Sequence, residues 1–158
     1  MYDITTTPLN QNFMRFVEMA RLQTAQPFEV AMTQLQDYSK AGARVTLVIQ
    51  DRKIAGMNIS VPARYFAPAV AICADANIQV ETVVCDTMTY IHPDHQRRGL
   101  SRSMRAASFT ASASLGNVFM LGHANDTPEI AAWVRHVYKD CLSEQLDSQG
   151  DPIVWIKI

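Results

Sequence analysis

The stretch Gln96-Arg97-Arg98-Gly99-Leu100-Ser101-Arg102 follows directly on Ile91-His92-Pro93-Asp94-His95 and opens a helix-like run. The first turn of a helix leaves backbone N–H groups without partners and carries partial positive charge. A pyrophosphate satisfies both. Gly99 lets the backbone approach a phosphate with no Cβ in the way, and Arg97, Arg98 and Arg102 add charge around it. An exposed basic turn that merely caps a helix has the same composition, so these residues alone do not decide between the two. Neither the G-x-x-x-x-G-K-[ST] nucleotide loop nor the G-x-G-x-x-G dinucleotide fingerprint occurs in the chain.

Other reactive side chains lie on both sides of this loop. Glu81 and Asp86 belong to V-E-T-V-V-C-D-T-M-T-Y-I, predicted as one long strand over residues 80–91. A regular strand sets them on opposite faces and a bulge reverses part of that pattern, so parity does not choose between them as a base. The histidines, His92, His95, His123 and His136, match no zinc spacing, and no metal is expected. His123 stands at a strand end, where it serves either as a base or as a local hydrogen-bonding group. Cys85 invites a covalent route, but nothing marks a partner base for it.

The elements that must position these groups read as follows. A short strand is predicted near residues 2–6 and a helix over 9–23. A second helix runs from Pro27 to about residue 40, with Phe28, Ala31, Met32, Leu35 and Tyr38 at helical spacing. R-V-T-L-V-I-Q, the turn D-R-K and I-A-G-M-N-I-S-V make an antiparallel hairpin. Residues 62–79 hold a short helix or a mobile loop. The long strand, the Gln96–Arg102 loop and a helix from Gly99 to about Ser114 come next, the helix rich in alanine and serine. A strand in G-N-V-F-M-L-G-H-A, a helix opened by D-T-P-E and a final strand P-I-V-W-I-K-I close the chain. The result is a mixed α/β domain.

The bulk numbers narrow the classes. At 158 residues the chain fits one domain with a full core. Fourteen basic and fifteen acidic residues, a net charge of −1, argue against a nucleic-acid binder. Three widely spaced cysteines, Cys73, Cys85 and Cys141, fit a reducing compartment better than a disulfide framework. The start M-Y-D-I-T-T-T-P lacks a signal peptide's pattern, and the longest apolar run is too short to span a bilayer. A cytoplasmic protein without a membrane segment is expected.

Gln96-Arg97-Arg98-Gly99-Leu100-Ser101 resembles the signature [Q/R]-x-x-G-x-[G/A] of the GNAT superfamily of acyl-CoA-dependent N-acyltransferases, with Ser101 in place of the last small residue. The approach Tyr90-Ile91-His92-Pro93 is similar to that family's as well, and the order of elements agrees along nearly the whole chain. The resemblance implies a single GNAT-like domain over residues 1–158, with a central, mostly antiparallel sheet whose fourth and fifth strands splay apart between helices.

It also implies acetyl-CoA as co-substrate and an amine acceptor, a small molecule or a protein. Arg97 through Arg102, with Gln96, would hold the CoA pyrophosphate. The backbone of Thr89, Tyr90 and Ile91 would pair with the pantetheine arm, beside a partner strand at 119–123. Tyr138, in V-Y-K-D-C, sits where many members carry the general acid for the departing thiolate; the Gly-Phe that often follows is replaced by Cys141-Leu142. The base remains open among Glu81, Asp86, His123 and an ordered water. A homodimer through the terminal strand or residues 62–79 is a further expectation. The alternative from another class is a non-catalytic acyl-CoA-binding or interaction module on the same fold.

Overall fold

A computed structural model describes residues 1–10 and 27–117, together with the backbone of three later strands, 119–123, 142–146 and 152–157. Its elements are β1 (Asp3–Pro8), α1 (Phe28–Lys40), β2 (Arg44–Gln50), β3 (Lys53–Pro62), α2 (Ala67–Asp75), β4 (Val83–Ile91), α3 (Leu100–Ser114), β5 (Phe119–His123), β6 (Leu142–Leu146) and β7 (Pro152–Lys157). Of the helix predicted at 9–23 only Leu9 and Asn10 are described, in a turn; its remainder and the helix predicted after Asp126 lie outside the described residues. Strands hydrogen-bond in the order β1-β2-β3-β4-β5-β7-β6. β4 and β5 are parallel; β1–β2, β2–β3, β5–β7 and β6–β7 are antiparallel. This is the mixed, mostly antiparallel α/β architecture that the sequence implied.

The chain divides into two compact units. The first comprises Met1–Val61 and Thr87–Ala111. Here β2 is buried at four successive residues, Val45 to Val48, which a strand covered on both faces requires. The hairpin closes through Asp51 and Arg52, both at positive φ, with Gln50 opposite Lys53. Such a two-residue turn matches the twist of the strands it joins. α1 buries Ala31 and Leu35, whereas Phe28, expected on the same stripe, is exposed at the start of the helix. Leu100 and Met104, one helical turn apart, anchor α3 against Val48 and Ala55, with Tyr2, Ile4 and Ile91 packed around them.

The second unit comprises Pro62–Asp86 and Ser112–Ile158. Residues 62–79 are a short 3-10 turn, Ala63–Tyr65, followed by α2. Ala69, Ile72 and Cys73 of α2 form a buried cluster with Ala63, Val83 and Cys85. β6, which the sequence reading did not include, lies at the sheet edge. The terminal strand β7 runs between β5 and β6, so both of its own edges are already paired. Among the described residues no helix is long and apolar enough to cross a membrane.

Two boundaries matter for the chemistry. β4 begins at Val83, because Val80–Thr82 is a 3-10 turn. Glu81 is therefore not on the long strand, and the expected alternation between Glu81 and Asp86 does not apply. Thr82 explains the difference: its amide and its hydroxyl both donate to Gln79 O, at 3.0 and 2.7 Å. That local bonding competes with a ladder. The second boundary is where β4 stops pairing with β5. Partners are Val83–Phe119, Val84–Met120 and Cys85–Leu121, only the first three of the nine residues of β4.

Candidate functional site

The stretch from Thr89 to Arg102 lies in the first unit and is built by the end of β4, a turn and the start of α3. Pro93–His95 forms a 3-10 turn, with His92 at its N-cap accepting from the Asp94 amide through Nδ1 at 3.3 Å. The His92 amide donates to Ala55 O at 2.8 Å, tying the end of β4 to β3. Gln96 folds back so that its Nε2 donates to Ile91 O at 3.2 Å. Gln96 and Ile91, both expected at the site, are thus brought into direct contact. The bond is internal to the protein and closes the loop on itself.

Arg97 and Gly99 both take positive φ, +60° and +74°. Gly99 is also the residue whose carbonyl accepts the first helical bond of α3, from Ser103 N at 3.2 Å. As the N-cap of that helix it has no side chain to satisfy the N–H groups of Ser101 and Arg102. A Cβ placed on Gly99 would meet no atom within 4 Å. The fifteen-residue helix α3 therefore starts at a residue with no side chain, whose Cβ direction is open. That donor set fits an anionic group such as a phosphate.

The side chains of the loop divide by role. Leu100 is buried and holds the helix start down, while Arg97 and Arg102 are exposed. Arg98 is exposed too but is engaged: Nη1 donates to Tyr2 Oη at 3.1 Å and Nη2 to Asp94 O at 3.0 Å. Tyr2 Oη also lies 3.1 Å from His95 Nδ1. Because the tyrosine accepts from Arg98, its own proton is free to go to His95. Arg98 is a brace of the loop rather than a loose cation. Ser101, the departure from the signature, has its Oγ shielded from solvent and without a hydrogen-bond partner among the described residues.

Along β4, Thr89, Tyr90 and Ile91 are half-buried. Three hydrogen bonds from two side chains fix this strand's path. Thr87 Oγ1 donates to Ile59 O at 3.1 Å, and Asn58 Nδ2 donates to Met88 O at 3.2 Å and to Thr89 Oγ1 at 2.9 Å. Arg105 Nη2 reaches the same Thr89 Oγ1 at 3.3 Å. Opposite them, Gly56 comes so near β4 that a Cβ would stand 2.9 Å from Tyr90 O. Sequence reasoning missed Tyr2, Asn58 and Gly56. A polar Asn58 and a glycine inside an otherwise apolar strand were the available signals for the last two; Tyr2 carries none.

The expected acid–base residues fall elsewhere. Asp86 is half-buried on β4, one residue past its last pairing with β5, and Glu81 is exposed in the 3-10 turn. His123 is the last residue of β5. Tyr138 lies outside the described residues. Burial, then Cys73 and Asp86, pushes the Cys85 thiol up to about 12. Burial, then Glu81, raises that of Cys73. A thiol in that state is a poor nucleophile.

No sequence-family profile and no curated protein sequence matches the chain. Solved structures do. The ribosomal-protein-S18-alanine N-acetyltransferase from Escherichia coli matches with a TM-score of 0.66 at 13% identity, over 100% of this chain and 93% of that one. The PaiA N-acetyltransferase from Thermoplasma acidophilum, solved in complex with coenzyme A, matches with a TM-score of 0.61 at 11% identity, over 99% of each chain. An acetyltransferase of the GNAT family from Staphylococcus aureus matches with a TM-score of 0.64 at 7% identity, over 98% of this chain and 99% of that one. At such identities the shared property is the architecture: the chain has the fold of the GNAT acetyltransferases, as Gln96–Ser101 implied.

Proposed function

We propose that the chain is an acyl-CoA-dependent N-acetyltransferase, a single domain acting in the cytoplasm, which transfers the acetyl group of acetyl-CoA to a primary amine. The observation that carries this reading is the side-chain-free N-cap of α3. Gly99, at φ +74°, starts the positive end of α3 with no side chain and an open Cβ direction, on a fold shared with acetyltransferases. In this reading the CoA pyrophosphate accepts from the amides around Gly99, Leu100 and Ser101, and Arg97 and Arg102 supply charge. Arg98 and Gln96 hold the loop in shape. The pantetheine arm follows Thr89–Ile91.

Transfer is direct. The neutral amine nitrogen attacks the thioester carbon, a C–N bond forms and the C–S bond breaks. The ammonium proton goes to a base and the departing thiolate takes a proton from an acid, the role assigned to Tyr138. Of the candidate bases, Asp86 is half-buried on β4 and Glu81 is exposed in a turn, which favours Asp86; His123 or a water is the alternative. The raised thiol of Cys85 supports direct attack over an acyl-cysteine. Most of the acceleration comes from holding amine and thioester together.

The test incubates the full chain with acetyl-CoA and a broad panel of amines, peptides and proteins, and measures thiol release. Turnover that falls in Tyr138→Phe supports the reading. Saturable CoA binding with no turnover across the panel, unchanged in Tyr138→Phe, assigns the chain to the non-catalytic acyl-CoA-binding class.

A further inference from the structure

Thr89 stands on β4 beside two groups that can only donate to its hydroxyl. Asn58 Nδ2 lies 2.9 Å from Thr89 Oγ1 and 3.2 Å from Met88 O. A backbone carbonyl only accepts, so the nitrogen of the Asn58 amide must face β4, and its orientation is fixed by chemistry. Arg105 Nη2 lies 3.3 Å from the same oxygen, and a guanidinium has no acceptor atom. A hydroxyl offers two acceptor sites and one proton. Both acceptor sites of Thr89 are therefore taken, and only its proton remains. No acceptor for that proton lies among the described residues. Asn58 is buried to 1% exposure, so its side of this node does not loosen into solvent.

We propose that the Thr89 hydroxyl is an obligate hydrogen-bond donor to a carbonyl oxygen of the bound acyl-CoA. The inference rests on the acyl-CoA reading above and deepens it, since that reading uses only the backbone of Thr89. An incoming thiol or ammonium finds no acceptor at this oxygen and meets the positive charge of Arg105. A carbonyl oxygen finds a donor already polarised by that charge. Acyl-CoA carries such oxygens in the thioester and in the two pantetheine amides. Because Asn58 and Arg105 hold the oxygen from two sides, the donor is oriented before the ligand arrives.

The experiment titrates the full chain and its Thr89→Val, Thr89→Ala and Thr89→Ser variants with acetyl-CoA, CoA and S-ethyl-CoA, the thioether that lacks the thioester oxygen. Thermal unfolding of each variant identifies those that fold. Thr89→Ser should bind as the unaltered chain does. The two hydroxyl-free variants should lose about tenfold in affinity for acetyl-CoA, the effect of one hydrogen bond. A loss confined to acetyl-CoA places the acceptor at the thioester, and an equal loss on all three ligands places it at a pantetheine amide; either supports the proposal. Unchanged binding in a folded hydroxyl-free variant overturns it, as does an equal loss in Thr89→Ser. Both leave the acyl-CoA reading standing if the unaltered chain binds acetyl-CoA. If it does not, that reading falls and takes this proposal with it.

Discussion

The hydroxyl of Tyr2 lies 3.1 Å from Arg98 Nη1, joining two residues 96 positions apart. The same oxygen lies 3.1 Å from His95 Nδ1, so one atom at the entrance to β1 pins both ends of the turn that leads into α3. Tyr2→Phe removes this pin and keeps the ring that packs near Val48, Ala55, Leu100 and Met104. Stability should fall by only about 1 kcal/mol, because the bond is partly exposed. Affinity for CoA should fall three- to tenfold, as the loop samples conformations that do not hold phosphate. Calorimetric titration reads the second effect; an affinity equal to that of the parent would show that the brace does not shape the cradle.

Gly99 separates two effects that one substitution would confuse. Its φ of +74° strains any residue with a Cβ, while the space around that Cβ is open. Gly99→Ala should therefore fold with a cost of about 1–2 kcal/mol. Gly99→Asp should add a carboxylate at the anion position and abolish CoA binding, with the far-UV spectrum and unfolding midpoint close to those of the alanine variant. CoA affinity that survives the aspartate would mean that the phosphate does not sit at this helix end.

What was legible in the sequence follows from how local the determining forces are. The β2–β3 hairpin announced itself because β-branched residues flank a turn that closes within the segment. The turn into α3 was legible because Gly99 marks a backbone requirement directly. The start of β4 was misread because Val80-Glu81-Thr82 has strand-like residues, yet Thr82 bonds back to Gln79. β6 was missed because Leu142-Ser143-Glu144-Gln145-Leu146 has no β-branched residue; its pairing with β7 makes it a strand. The Tyr2–Arg98 bond and the Asn58–Thr89–Arg105 node depend on the folded chain bringing distant residues together, which no spacing rule encodes.

Gly56 offers a way to move β4 without touching any ligand group. A Cβ there would stand 2.7 Å from Ile91 Cδ1 and 2.9 Å from Tyr90 O. The end of the isoleucine can swing aside, but the carbonyl belongs to the strand and can yield only if β4 shifts. Gly56→Ala should cost about 1–3 kcal/mol in urea unfolding. It should also lower kcat/KM for acetyl-CoA, since Tyr90 and Ile91 lie where the pantetheine arm is expected. A destabilised variant with unaltered kinetics would place the arm away from these residues.

Cys85 decides between direct and covalent transfer, and its thiol provides a second handle through pH. Its pKa is raised to about 12, first by burial and then by Cys73 and Asp86. An unfolded thiol titrates near about 8.5. The folded state therefore holds this proton more tightly than the unfolded state. The stabilisation is fully present below about pH 8.5 and is lost as pH rises from there toward 12. Urea midpoints should be flat from pH 7 to 8 and fall above pH 9. Cys85→Val, which keeps a small apolar side chain and removes the proton, should show a shallower fall than the parent, a comparison that cancels the contribution of the other groups titrating in that range. In the folded chain at pH 8, Cys85 should resist iodoacetamide while the urea-unfolded chain is alkylated. Cys85→Val should also keep acetyl transfer within a few-fold, because no acyl-cysteine forms on the direct route. A folded Cys85→Val with no turnover, on an amine that the parent acetylates, would overturn direct attack.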